Sequence, residues 1–205
     1  MKKLVLSLVA VAAIGFTANA QETEKPTFGF QETNVFVEGN IGFNSKNDKN
    51  TDEKKNVFNF NPKVGYMLSD KFAVGASFEV GSANTKVDGT KTAKVNSFYG
   101  GVFGRYYFLE LGQRFKTYAE VGVGYAQVKD GVKDAVKTKG MAAGLNLGMN
   151  YFVTKNVAIS FNLGDVISYS SAKKDGGKAV SEFNTDLNVF NNFFDTATFG
   201  LTYKF

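Results

Sequence analysis

Ala197-Thr198-Phe199-Gly200-Leu201-Thr202-Tyr203-Lys204-Phe205 alternates without a break. Ala197, Phe199, Leu201, Tyr203 and Phe205 fall on one face, with Thr198, Gly200, Thr202 and Lys204 on the other. A period of two is the mark of a strand, because successive side chains leave a pleated backbone on opposite sides. The opposite end of the chain reads as an export signal. Met1-Lys2-Lys3 is a positive n-region, Leu4 to Phe16 is apolar, and Ala18-Asn19-Ala20 fits a small-x-small cleavage pattern. The sequence therefore predicts a signal peptide over residues 1–20, cleaved after Ala20. Such a run is short of the roughly 20 residues a membrane helix needs, and no later stretch approaches that length. Any crossing of a bilayer has to be made by strands. An exported chain whose last strand carries an aromatic face points to a barrel closed in lipid.

Composition narrows the function classes. The chain contains no cysteine, so disulfides, thiolate metal sites and a lipid-anchored cysteine are excluded together. It contains no histidine, which removes the commonest general base and the usual triad member. Acidic residues gather only in segments such as Asp48-Lys49-Asn50-Thr51-Asp52-Glu53, without metal-ligand spacing. Gly100-Gly101 and Gly176-Gly177 precede no helix and make no phosphate cradle. No enzyme, cofactor or metal is expected. The formal charge of +5, or +3 once Lys2 and Lys3 are removed, is too small and scattered for nucleic acid.

Gln21 to Glu32 is polar and unpatterned and reads as a short periplasmic extension, ahead of a single barrel domain over 33–205. Eight alternating segments follow: Asn34 to Asn44, Val57 to Leu68, Phe72 to Gly81, Val95 to Phe108, Phe115 to Gln127, Gly140 to Phe152, one from Val157, and the tail from near Asp195. Connections alternate in length. Ser69-Asp70-Lys71, Leu109 to Arg114 and Val153 to Asn156 are short, whereas Ser45 to Asn56, Ser82 to Lys94, Val128 to Lys139 and Ser170 to Asn192 are hydrophilic and read as long loops. Short turns on one rim and long loops on the other are the pattern of outer-membrane barrels. The fold class predicted is all-β, an eight-stranded antiparallel up-and-down transmembrane barrel.

The polar face decides which side is outside. It is made of small residues, among them Gly75, Gly101, Gly122, Gly124, Gly144, Gly148, Ser77, Ser160, Asn146 and Asn162. Glycine weakens a strand and needs a reason; a crowded lumen of eight strands supplies one. Rings agree: Tyr66, Phe72, Tyr106, Phe108, Phe115 and Tyr151 all fall beside short turns, where they would form an interfacial girdle. Pro62 removes a ladder donor from an interior strand, and a bulge is expected there.

The inner face carries Glu38, Lys63, Glu79, Arg105, Lys116, Glu120 and Lys204. Charges in a narrow lumen must pair. Arg105 and Glu120 lie at similar depth on hairpin partners, and Lys63 reaches toward Glu38 or Glu79. Two readings stay open: a salt-bridged plug, or a gated path for ions. The four hydrophilic connections hold fourteen lysines against nine acids, a setting for lipid phosphates.

With the signal peptide, the alternating segments, the inward Glu38, Lys63, Arg105, Lys116 and Glu120, and the closing Leu201-Thr202-Tyr203-Lys204-Phe205, the chain resembles small outer-membrane barrels of the OmpA/OmpX-like superfamily. The resemblance implies a monomer in the outer membrane of a Gram-negative cell. It also implies that Leu201, Tyr203 and Phe205 are read as an assembly signal, with periplasmic chaperones and the barrel-assembly machinery as biogenesis partners. A peptidoglycan-binding domain, found in larger relatives, is not expected. Three functions remain at this point: a structural or surface-interaction protein whose loops meet a surface ligand or lipopolysaccharide, a narrow low-conductance pore, and a soluble lipocalin-like binder.

Overall fold

The computed structural model describes residues 28–186 and 198–205. The expected signal peptide, the cut after Ala20, Ala197 and the strand start near Asp195 lie outside the described residues. Among the described residues there are nine strands: β1 (Val35–Asp48), β2 (Glu53–Met67), β3 (Phe72–Val87), β4 (Thr90–Leu111), β5 (Phe115–Asp130), β6 (Val136–Phe152), β7 (Val157–Lys174), β8 (Ala179–Thr185) and β9 (Thr198–Lys204). Every pairing is antiparallel. Each of β1 to β7 pairs with the next, β9 pairs with β7, and β9 returns to β1, so eight strands close a ring.

The wall turns its greasy side outward. Val102 and Val121, in mid-barrel, are 60% and 59% exposed, whereas Arg105 and Glu38 are 0% and 1% exposed. That distribution suits a lipid solvent outside and a packed polar interior. Tyr66, Phe72, Tyr106 and Phe108, expected to form a girdle, are all exposed at the short-turn end. There the Phe115 and Tyr151 rings lie 4.6 Å apart, as cross-strand partners.

Three expectations are corrected. Where the hydrophilic segments are described, to Asp186, they are not long loops: the strands run on through them, leaving connections as short as Asp88-Gly89. Both of those residues take positive φ, +50° and +75°, which is what a two-residue hairpin turn with the hand of the sheet demands. The last hydrophilic segment contains β8, a strand absent from the reading of the sequence. β8 pairs with Ile167–Lys173 of β7, above the stretch Val157–Asn162 of the same strand that β9 takes. Pro62 makes no bulge: the β2–β3 register is the same on either side of it, with pairing skipped between Phe60↔Val80 and Lys63↔Ser77.

Residues 28–34 are packed rather than trailing free. Phe30 is buried with Phe36, Met67, Tyr107, Tyr118 and Phe152. The Phe30 ring lies 4.9 Å from that of Tyr107 and 5.2 Å from that of Phe152. Phe28 lies under Arg114, with 4.3 Å between ring centroid and guanidinium carbon. The short-turn end of the barrel is thus filled by its own preceding segment.

Candidate functional site

Above the Phe30 cluster, the lumen is crossed by a charge network. Arg105 on β4 donates from both terminal nitrogens to Glu38 on β1, at 3.0 and 3.1 Å, and from Nε to Glu120 on β5 at 2.7 Å. Lys63 on β2 bonds the other Glu120 oxygen. The quartet is neutral, two cations against two carboxylates, as burial in a water-poor interior requires. Neutral partners complete it. Thr202 Oγ1 donates to Glu38 at 3.0 Å, and Asn150 Nδ2 donates to Ser160 and Thr202 at 3.0 and 3.2 Å. Tyr107 OH donates to Asn150 Oδ1 at 3.2 Å. Side chains from β1, β2, β4, β5, β6, β7 and β9 are therefore joined in one cross-barrel web.

Rings hold the guanidinium flat. The Arg105 guanidinium carbon is 3.9 Å from the Tyr118 ring centroid, 5.2 Å from that of Phe36 and 5.4 Å from that of Phe103. Each of those rings has a glycine for a seat. A methyl group on Gly65 would come within 2.2 Å of Phe36, one on Gly148 within 2.2 Å of Tyr118, and one on Gly75 within 2.6 Å of Phe103. The small residues of the inner face are there because large ones cross over them.

The other inner charges are placed apart from the quartet. Lys116 pairs with Glu110 at 2.6 Å near the short-turn rim, and Lys204 donates to the carbonyl of Gly29 at 2.7 Å. Glu79 lines a cavity of about 410 Å³ on the hairpin-tip side of the network, together with Asn59, Asn61, Asn146, Asn162 and Asp165. Lys63 and Glu120 form part of its floor. Lys63 bonds Glu120, which lies across the lumen, and is also the direct ladder partner of Glu38. Tyr118, Asn150, Ser160, Thr202 and Phe30 complete the site; the sequence puts Ser160 and Thr202 on a polar face but with no partner, and marks none of the five as part of the charge network. Inward parity on their strands was the available signal for the first four. Phe30, outside any strand, had none.

Stacked along the axis are an apolar cork, a neutral ion web and a polar chamber. Asparagines and carboxylates line the cavity beside Tyr99 and Phe103, and the exposed large apolar side chains of the wall are on the outside. A soluble lipocalin-like binder needs the reverse, so that alternative is corrected.

The family model described as outer membrane protein beta-barrel domain matches residues 8–205. No curated protein matches the chain. Among solved structures, OprG from Pseudomonas aeruginosa is similar at 15% identity and a TM-score of 0.49, over 86% of this chain and 98% of that one. Neisserial surface protein A (NspA) is similar at 15% identity and 0.46, over 84% and 96%. Outer membrane protein W of E. coli is similar at 16% identity and 0.45, over 86% and 100%.

Proposed function

We propose, for a chain that belongs to the outer-membrane β-barrel family, a structural and surface-interaction role with a lumen that is shut. The carrying observation is the fully paired quartet of Arg105, Glu38, Glu120 and Lys63, backed by the Phe30 cork. An ion crossing the barrel would have to separate buried opposite charges, which costs several kcal/mol per charge left alone. The strands beyond the apolar band form stiff hairpins that carry the surface contacts. The outward Leu201, Tyr203 and Phe205 of β9 are proposed to meet the assembly machinery during insertion.

Planar-bilayer recording of the purified barrel tests the closed lumen. The wild type is expected to insert without conductance steps across the usual voltage range. Regular unitary steps from the wild type would replace this reading with the narrow-pore one.

A further inference from the structure

The hairpins that extend past the apolar band sort their carboxylates by face, while lysines stand on both, Lys46 opposite Lys55 being inward. Ladder register places Lys54, Lys86, Lys94, Lys129, Lys137, Lys139 and Lys173 on the outward side, in line with Phe58, Val80, Phe98, Tyr125, Met141 and Tyr169. The carboxylates of the same extensions, Asp48, Glu53, Asp130 and Glu182, fall on the inward side. Among the described strand residues beyond the band, no acid faces outward. A surface selected only for solubility mixes both signs. This one does not.

The lysines also oppose each other. Lys54↔Lys86, Lys129↔Lys137 and Lys139↔Lys173 are direct cross-strand partners. Like charges so placed destabilise a sheet, and none of the three pairs has a carboxylate within ion-pair distance among the described residues. The repulsion calls for an anion from outside the chain. Height identifies it. A strand tilted by about 45° climbs roughly 5 Å per outward step of two residues. Lys139 is one step above Met141. Lys54, Lys94, Lys129, Lys137 and Lys173 are two steps above the last outward apolar or aromatic residue of their strands, and Lys86, the partner of Lys54, is three above Val80. The headgroup layer begins at the hydrocarbon edge and is roughly 5–8 Å thick, within reach of lysine ammonium groups from those positions.

We infer that this outward lysine collar binds the phosphates of an anionic lipid in the leaflet around the hairpin end, each lysine pair straddling one phosphate. The inference rests on the barrel's being embedded in a membrane, and is independent of whether its lumen is shut. It is tested with the barrel in neutral detergent, titrated with diphosphorylated lipid A, with dephosphorylated lipid A and with inorganic phosphate. The readout is the temperature at which the compact gel band of the unheated barrel is lost. Diphosphorylated lipid A is expected to raise that temperature for the wild type, with an apparent affinity that weakens as salt is added. A variant carrying Lys54→Gln, Lys86→Gln, Lys129→Gln, Lys137→Gln, Lys139→Gln and Lys173→Gln should bind at least about tenfold more weakly, as loss of several charge-assisted contacts implies. Lys46→Gln with Lys55→Gln, on the inward face of the same rim, should bind as the wild type does. Equal protection by dephosphorylated lipid A or by free phosphate would overturn the assignment. So would equal weakening by the inward pair, or salt-insensitive wild-type binding should the larger variant not fold.

Discussion

Arg105 is the residue on which the interior turns, since among the described residues it alone bonds both Glu38 and Glu120. Breaking a buried ion pair from one side costs about 3–5 kcal/mol, because the abandoned charge stays buried. Arg105→Ala should lower unfolding stability by about that much, measured by urea titration in lipid vesicles. Arg105→Met with Glu38→Gln should recover part of the loss, because Glu120 keeps Lys63. An Arg105→Ala barrel as stable as the wild type would show the web to be dispensable. Gly148 makes the steric counterpart. Gly148→Ala pushes a methyl into the Tyr118 ring, while Gly39→Ala meets nothing nearer than 3.8 Å. Overpacking costs about 1–3 kcal/mol, so the first should lower the urea midpoint and the second should leave it near the wild type. The Arg105–Glu120 pair was legible in the sequence, because hairpin partners of equal depth face each other. Glu38 with Arg105, and Lys63 with Glu120, span the lumen between strands far apart in the chain; periodicity gives a residue's face but not its partner across a barrel.

At the scale of elements, Phe28 to Phe30 behave as part of the interior. Phe30→Ala removes a ring that is 7% exposed and touches at least three others. Large-to-small changes of that kind cost about 3–5 kcal/mol. The variant should lose its compact gel band at a lower temperature while its far-ultraviolet strand signal at room temperature is unchanged; an unshifted transition would mean that the segment is not needed to fill the mouth. Alternation found all eight wall segments, because one face meets lipid and the other a crowded lumen. It stopped short at their upper ends. From Ser45 to Asn56 both faces are polar, and from Ser82 to Lys94 the apolar residues Ala83, Val87 and Ala93 fall on the inward face, so the outward-apolar period of two is lost even though the ladder continues. Asp88-Gly89 was the signal available there, a hairpin dipeptide inside what read as a loop. β8 lacked even that: its seven residues are all exposed, and only hydrogen bonds to β7 define it.

Over the whole molecule, cork, ion web and chamber follow one another along the axis, and under the proposed closed lumen the barrel is a vessel shut at its short-turn end. The chamber wall is reached from the hairpin tips, where the strands project past the apolar band, and the web and cork lie between it and the short-turn rim. Absence of cysteine lets single thiols report this geometry without background. Asn61 lines the chamber, and Met67, on the same strand and face, sits fully buried among the cork residues. In proteoliposomes of known orientation, Asn61→Cys should react with a small charged thiol reagent added on the hairpin side and stay protected from the same reagent on the short-turn side. Met67→Cys should react from neither. Two inward residues, Lys63 and Gly65, separate the two positions on one strand, so a difference between them measures the seal and not the strand. Labelling of Asn61→Cys from the short-turn side would establish a continuous aqueous path, and the charge web would then have to be read as a gate that opens.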